Sequence, residues 1–306
     1  MRTLLFALVL TLTASAEDLW VAVGDGGLRL TSTDGQSWQR EQPWDNRQGP
    51  LCGIAHGLGR FLVVGGTETT GELLSSTDGR VWRELPVAQK KVDAIAFGRG
   101  RFVAAQGSRL LISTDGAAFT AGDRFDTKSP AHALRIACGD TEAGFRFVIL
   151  GETEPIPGAP PDSWRAVTTD GTRIDELAPQ PSATGLAYGA GHFVVVGRHR
   201  IESSHDGQVW SLQPAPGDLI RTVVWTGTRF FATTDDAVWV STDALKWRRQ
   251  KAFDPLPILW ARDTPSPLGL GINPTGRLAV TLDFTAWKVV LPEGPRIRAV
   301  AQRTAE

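Results

Sequence analysis

The chain has 306 residues, with 32 basic and 33 acidic side chains, so its formal net charge at neutral pH is −1. A charge this close to zero gives no overall field that would attract nucleic acid or an anionic membrane, and any partner has to be recognised locally. No segment after residue 16 is long and apolar enough to span a bilayer, so we expect no transmembrane segment.

The first residues have the pattern of a secretory signal sequence. Arg2 supplies a positive charge, residues 4–13 are an apolar stretch, and a small-residue cleavage site ends at Ala16. The apolar stretch is about half of the ~20 residues that a membrane-spanning helix needs, which favours cleavage over a membrane anchor. We therefore predict a signal peptide over residues 1–16, export to the periplasm or the extracellular space, and a mature chain over residues 17–306.

One short motif occurs seven times along the chain. Its first copy is Ser32-Thr33-Asp34-Gly35 followed by Trp38: a hydroxyl residue, an Asp, a Gly and an aromatic residue four positions after the Asp. Successive Asp residues are separated by 44, 37, 55, 36, 37 and 40 positions, close to the length of a four-stranded propeller blade. The seven residues are Asp34, Asp78, Asp115, Asp170, Asp206, Asp243 and Asp283.

Between these motifs, short runs of Val, Ile, Leu and Phe alternate with glycine-containing turns, and no long stretch has helical periodicity. The pattern predicts an all-β fold, a seven-bladed β-propeller of four-stranded antiparallel blades in one domain over residues 17–306. The first repeat lacks its innermost strand, whereas residues 296–301 match that strand and no repeat follows them. We expect this C-terminal strand to pair beside Val21 and to close the ring, which protects otherwise open strand edges.

A large residue that follows a smaller one stands just before the first turn of each repeat. We expect the small residue to meet a bulky one from the next blade near the ring axis, so His56 and Tyr188 are interpreted as core residues before catalytic ones. The large residues are His56, Phe97, Cys138, Tyr188, Trp225, Trp260 and Gln302.

Two cysteines in an exported chain invite a disulfide, which needs Cα atoms within about 7 Å of each other. Cys52 and Cys138 fall in the second and fourth repeats, with the third repeat between them. We therefore expect two free, small, buried side chains.

The Asp motif is interpreted as a structural turn. Asp-Gly suits a tight turn with positive φ, the carboxylate can accept backbone N–H bonds, and the aromatic ring can lie between neighbouring blades. Catalytic carboxylates and a calcium site would use the same residue type, but both need several oxygens in one place. One Asp per blade spreads the carboxylates around the rim, so we expect neither a metal nor a cofactor.

The combination of Ser-Thr-Asp-Gly-x-x-Trp with Gly-x-Gly-Arg-Phe and a following apolar run resembles the Asp-box, or bacterial neuraminidase repeat, propellers over nearly the whole mature chain. That group includes sialidases, xyloglucan-cleaving hydrolases, sortilin-type receptors and photosystem II assembly-factor propellers, and the last of these also have seven blades. The motif is one residue shorter than the usual box, as in many uncharacterised exported bacterial propellers. Ala244 and Phe284 replace the Gly in blades six and seven, and Ile174 replaces the aromatic in blade four.

The resemblance implies catalytic residues that are mostly missing. Sialidases use a Tyr nucleophile, a Glu partner and three Arg residues, whereas the one Tyr of this chain, Tyr188, occupies a repeat position. No nucleophile elbow, zinc-spaced His cluster or phosphate loop is found. A sialidase-like or other glycoside hydrolase or lyase is the alternative, and it requires two carboxylates roughly 5 to 10 Å apart. The carboxylates to compare are Glu152, Glu154, Asp162 and Asp235.

The loops that join the outer strand of one blade to the next blade, and the second strand to the third, vary most and predict the binding face. Their mixed charge with exposed Trp suits protein or carbohydrate contact, while solvated loops without a ligand are the alternative. We predict an exported, monomeric, non-enzymatic scaffold that binds a protein or a glycan and no nucleic acid. The candidate binding residues are Trp44, Arg47, Glu152, Glu154, Asp162, Trp164, Arg198, His199, Arg200 and Asp235.

Overall fold

A computed structural model describes most of the chain after residue 17. The described residues are 18–41, 49–86, 90–127, 129–155, 158, 160–215, 217, 219–250, 255–264, 266–291 and 293–303. The predicted signal peptide and the candidate residues Trp44 and Arg47 lie outside them. Over these ranges, no helix reaches the length and apolar character that crossing a membrane would need.

The described residues form 28 β-strands and one 3₁₀ turn at Asp25–Gly27. The first are β1 (Leu19–Gly24), β2 (Arg29–Ser32) and β3 (Gln39–Arg40). Next come β4 (Leu51–Gly57), β5 (Arg60–Gly66), β6 (Gly71–Ser76), β7 (Arg83–Glu84), β8 (Ala94–Gly98), β9 (Arg101–Gln106), β10 (Arg109–Ser113) and β11 (Thr120–Arg124). They are followed by β12 (Ala131–Thr141), β13 (Gly144–Thr153), β14 (Ser163–Thr168), β15 (Glu176–Pro179), β16 (Ala183–Gly189), β17 (His192–Gly197), β18 (Arg200–Ser204) and β19 (Ser211–Gln213). The last are β20 (Thr222–Trp225), β21 (Phe230–Thr233), β22 (Val238–Ser241), β23 (Arg248–Gln250), β24 (Ile258–Arg262), β25 (Leu268–Ile272), β26 (Leu278–Thr281), β27 (Lys288–Val289) and β28 (Ile297–Arg303).

These strands form seven four-stranded antiparallel sheets, which are the blades of a propeller. Blades two to seven each use four consecutive strands, starting with β4, β8, β12, β16, β20 and β24. Blade one has the order β28-β1-β2-β3, and Val21 lies opposite Ala301. The predicted all-β fold, the seven blades and the closure by the C-terminal strand are confirmed.

The apolar core lies between neighbouring blades. Close packing near the axis depends on glycine: a Cβ atom at Gly139 would lie 2.0 Å from the ring of Tyr188 in the next blade, and one at Gly57 would lie 2.3 Å from the ring of Phe97. As expected, Ala55 lies in the same apolar cluster as Phe97, and Ala137 in the same cluster as Tyr188. The glycine after the large residue makes the close contact with the ring. The Tyr188 hydroxyl donates to the carbonyl of Asp140, as fits a residue that packs between blades.

Blade seven departs from the register expected from the repeat. The pairing is irregular between Ile258 and Trp260, and it places Ala261 opposite Gly269. The residue just before the first turn is therefore Ala261, so the assignment of Trp260 to this position is wrong by one residue. Gly269 stands where the second strands of other blades carry an aromatic ring. The ring of Phe284 lies 2.9 Å from where a Cβ atom at Gly269 would be, and it occupies the space that such a ring would fill.

Each Asp motif forms the turn between the third and fourth strands of its blade, and we call these segments the Asp turns. Asp34 Oδ1 accepts the N–H groups of Gln36 at 2.7 Å and Ser37 at 2.6 Å and the Ser32 hydroxyl at 2.9 Å. The Trp38 ring nitrogen donates to the Gly35 carbonyl at 3.0 Å. All seven carboxylates accept two backbone N–H bonds in the same way.

The Asp turns also contact the preceding blade. A Cβ atom at Gly79, where φ is 72°, would lie 2.9 Å from Val21, and one at Gly171 would lie 2.5 Å from Val103. Each of these valines belongs to the second strand of the blade before. The Asp turns therefore hold the outer edge of one blade against the next.

Both cysteines are free, as expected, but they are half-buried and not fully buried. The Cys138 thiol donates to the Phe97 carbonyl at 3.1 Å, and burial raises its pKa to about 12. A thiol of this kind stays protonated and unreactive at neutral pH.

Candidate functional site

A groove runs along the loop face above blades three and four. One part has a volume of about 590 Å³ and the adjoining part about 930 Å³. Because four residues line both parts, the two parts are adjacent on the loop face, and we call them together the groove. The shared residues are Lys90, Gly107, Ser108 and Pro130.

The floor of this groove is held by hydrogen bonds between loops of adjacent blades. Ser108, between β9 and β10, accepts the Ala131 N–H on its hydroxyl at 3.0 Å and the Phe125 N–H on its carbonyl at 2.9 Å. The Glu154 N–H donates to the Pro130 carbonyl at 2.7 Å. The loops from blades three and four are thus fixed relative to one another at this place.

Asp93 lies beneath the groove at the start of the inner strand of blade three. Its side chain is only 7% exposed, and it pairs with Lys91 Nζ at 3.2 Å and accepts the Gly107 N–H at 3.1 Å. Burial raises the pKa of Asp93 even though Lys91 and this N–H oppose the effect. Asp93 also lines the central cavity, so it separates the two spaces.

Exposed charges of both signs line the groove. The part nearer blade two has Glu68 and Glu154 together with Lys90 and Lys91, and the part over blade three has Lys90, Arg109 and Arg124. Asp126 is the acidic residue among the described lining of that second part. The groove therefore has an end of mixed charge and a predominantly basic end.

The candidate residues from the blade-four insertion have different positions. Glu154 lines the groove, whereas Trp164 is 4% exposed and packs against Phe125, with the two rings tilted and their centroids 4.4 Å apart. The expectation of an exposed Trp is wrong at this residue, because β14 begins at Ser163 and places Trp164 in the core. Glu152 accepts the Ser163 hydroxyl at 3.4 Å, and the Asp162 N–H donates to the Thr153 hydroxyl at 2.9 Å.

The candidates from blades five and six do not line the groove. Arg198 and His199 are exposed in the turn between β17 and β18, and Arg200 pairs with Glu202 at 2.5 Å. Asp235 accepts two hydrogen bonds from Arg221, at 2.7 and 3.0 Å, and these bonds lower its pKa.

The carboxylates considered for hydrolysis do not meet in one cavity. Glu154 lines the groove together with Glu68 and Asp93, whereas Asp162 and Asp235 line none of the three cavities described for this molecule. No cluster of three or more His, Cys, Asp or Glu residues suited to a metal ion occurs in the described ranges.

The sequence did not point to Asp93 and Ser108 as parts of a site. Ser108 lies in a short turn between two strands, a position with no distinctive motif. Asp93 could have been recognised from the repeat, because it precedes an inner strand whose following residues are all apolar or small.

No family model matches the chain, and no curated protein matches it. Among solved structures, apo AztD from Citrobacter koseri is similar, with a TM-score of 0.56, 12% identity, and coverage of 91% of this chain and 83% of that one. Virginiamycin B lyase from Staphylococcus aureus gives a TM-score of 0.55, 10% identity, and coverage of 78% and 83%. YCF48 from Cyanidioschyzon merolae gives a TM-score of 0.54, 12% identity, and coverage of 87% and 89%. At these identities the likeness shows the propeller fold alone.

Proposed function

We propose that this protein is an exported, non-enzymatic propeller that binds an extended segment of a partner protein in the loop-face groove. The observation that carries the proposal is that two adjacent loop-face cavities share the lining residues Lys90, Gly107, Ser108 and Pro130. We also propose that the Asp turns are Asp boxes of a short type. Their repeated hydrogen-bond pattern supports this assignment.

The groove lining favours a protein partner over a glycan. A sugar ring packs best on an exposed aromatic face, because such a face offers a large apolar area. Phe125 is the one aromatic residue among the described lining of the groove, and it is 3% exposed. Charges of both signs beside fixed loop backbone suit a polypeptide, whose polar groups can pair with both.

The same contacts disfavour hydrolysis. Asp93 has the raised pKa of a general acid, but its side chain is nearly buried and already binds Lys91 and the Gly107 N–H. A catalytic acid has to come within hydrogen-bond reach of the bond it protonates. The buried carboxyl of Asp93 is therefore better explained as an anchor of the loop face.

The basic end of the groove predicts the chemistry of the bound segment. Lys90, Arg109 and Arg124 should select peptides enriched in Asp and Glu from a random displayed library. The double variant Lys90→Glu with Arg109→Glu should weaken the selected peptides by about tenfold or more, as expected for loss of charged contacts. Arg173→Glu, in an Asp turn on the opposite face, is the matched control and should bind normally.

Selection of no peptide by the wild-type protein would contradict the proposal. Equal binding by the double variant and by Arg173→Glu would contradict it too, because the peptide would then lie elsewhere. Export is tested separately by N-terminal sequencing of the protein from the cell envelope and the medium. A mature chain that begins at Glu17 is the expected result.

A further inference from the structure

The seven inner strands surround a central cavity of about 430 Å³. This volume lies within the range of small-molecule sites. Most of its lining residues have apolar side chains, and its charged residues are Asp93, Arg135 and Arg298 among the described lining. The apolar wall includes Ile54, Ile95, Ile136, Leu186, Val224, Trp225, Leu259, Trp260 and Val300.

Arg135 breaks the repeat inside this cavity. Arg135 lies opposite Leu150 on β13, and the equivalent residue in blade two is Gly53, which lies opposite Val64. Every other blade for which this pairing is described has a small residue at the position. These residues are Gly53, Ala94, Gly185, Thr222 and Ala299. An arginine among glycine, alanine and threonine is the largest departure from the repeat on the inner strands.

The cavity leaves one positive charge without an acidic partner. Arg298 pairs with Asp25, and Asp93 pairs with Lys91. Arg135 donates to the Leu134 carbonyl at 2.7 Å, and no ion pair of the described residues includes it.

Arg135 stands among the inner strands, where neighbouring protein atoms replace part of the solvent around its charge. Burial lowers the pKa of its guanidinium, against a smaller opposing effect from Cys52 across the cavity. The side chain nevertheless remains accessible from the cavity. A partly desolvated cation that faces a cavity gains when an anion enters beside it, because the anion replaces lost hydration with charge-assisted hydrogen bonds.

We propose that the central cavity binds a small carboxylic acid, with its carboxylate on Arg135 and its apolar body against the Ile, Leu and Trp side chains of the wall. This site is separate from the loop-face groove, and the inference does not depend on the proposed function. A single unpaired guanidinium matches a monoanion. A more highly charged anion such as phosphate would leave a charge without a partner in the cavity, which is costly.

The test uses isothermal titration of the full mature protein with four probes: benzoate, hexanoate, the neutral isostere benzamide, and inorganic phosphate. The wild-type protein should bind the two carboxylates better than benzamide or phosphate. Arg135→Gln should weaken carboxylate binding by about tenfold or more, the effect of removing a charge-assisted bidentate contact. Arg135→Lys keeps the charge without the planar fork and should give an intermediate loss.

Arg198→Gln removes an exposed cation of the loop face and serves as the matched control, with unchanged binding expected. Melting curves of all three variants establish that they are folded; Arg135→Lys provides the measurement if Arg135→Gln does not fold. The inference is overturned if neither carboxylate binds the wild-type protein. It is also overturned if benzamide or phosphate binds as well as benzoate, or if the Arg135 variants bind the carboxylates as the wild-type protein does.

Discussion

Arg229 of blade six and Asp263 of blade seven form two hydrogen bonds, from Nε to Oδ2 at 2.9 Å and from Nη2 to Oδ1 at 2.8 Å. Asp263 also accepts the hydroxyls of Thr226, at 2.6 Å, and Thr228. Burial opposes its charge, but these donors outweigh that effect and lower the pKa of Asp263. The carboxylate therefore fastens blade seven to blade six.

Asp263→Ala should destabilise the fold by about 2–3 kcal/mol, because it leaves the half-buried Arg229 without its partner. The free energy of unfolding in urea measures this loss. Asp140→Ala is the control: Asp140 pairs with Arg99 between blades three and four at 2.6 Å, but both side chains are more than 60% exposed. An exposed pair contributes about 0–1 kcal/mol. Equal losses in the two variants would contradict the role given to Asp263.

Closure of the ring by β28 predicts the effect of truncation. Removing residues 296–306 deletes the inner strand of blade one and exposes the edge of β1, so we expect loss of cooperative unfolding or of soluble protein. Removing residues 304–306 alone keeps β28 and should leave the melting curve unchanged. A normal melting curve for the longer deletion would contradict the closure.

The Asp turns should each contribute modestly. Asp34→Ala removes the acceptor of two backbone N–H bonds at an exposed turn and should cost about 1 kcal/mol of unfolding free energy. Gln36→Ala keeps its own backbone N–H and is the control, with no measurable change expected. A loss at Asp34 several times larger would indicate a role beyond the turn.

The same turns predict the acid sensitivity of the fold. Backbone N–H bonds from Ala118 and Ala117, with the Ser113 hydroxyl, lower the pKa of Asp115 to about 2. The pKa values of the other six carboxylates are also lowered. In the unfolded chain an Asp has a pKa of about 3.9. Because the folded values are the lower ones, this stabilisation is complete above pH ~4 and is lost as the pH falls toward ~2.

Urea unfolding between pH 7 and pH 2.5 measures this dependence. Glu72 and Asp93, whose pKa values burial raises, act in the opposite direction but are fewer than the seven turn residues. The unfolding free energy should fall below pH 4, and Asp115→Asn should make that fall less steep. Stability that is constant or rising between pH 4 and pH 2.5 would contradict the prediction.

The fold could be predicted because the blade is repeated. The sequence pattern of each strand is weak by itself, but its seven occurrences support one another. What could not be predicted are local changes of register. The irregular pairing between Ile258 and Trp260 moves Trp260 by one position without a marker in the sequence. Trp164 was expected at the surface of an insertion, but β13 and β14 extend far enough to pair it with Gly151 in the core.

The candidate site was predicted less well, for a related reason. Loops carry the most obvious departures from the repeat, and Glu154 is the loop candidate that lines the groove. Asp93 and Arg135 depart from the repeat at the beginning of inner strands. Only the residue-by-residue pairing shows that Arg135 occupies the position that Gly53 and Gly185 occupy in their own blades. Such register depends on bulges that become visible in the folded sheet.

Blade seven carries an aromatic ring at Phe284 of its Asp turn and a glycine, Gly269, where other blades have an aromatic ring on the second strand. Phe284 is buried, has φ of 58° and stacks on Phe231 with centroids 4.3 Å apart. Phe284→Gly restores the usual turn residue and relieves the backbone, but the lost ring leaves a cavity. We expect a net loss of about 3 kcal/mol, since Phe truncation in a core costs about 3–5 kcal/mol and the relieved strain about 1–2 kcal/mol.

Gly269→Phe alone should also destabilise, because its ring would enter the space that Phe284 fills. The double variant moves the ring to the second strand, where Phe61 and Phe102 stand in their blades, and should be more stable than either single variant. Ala244→Gly, at the same turn position in blade six, is the control and should change stability by less than about 1 kcal/mol. Unfolding free energies of the wild type, the two single variants and the double variant complete the cycle. If the two single losses simply add in the double variant, Phe284 does not take the place of the missing second-strand ring.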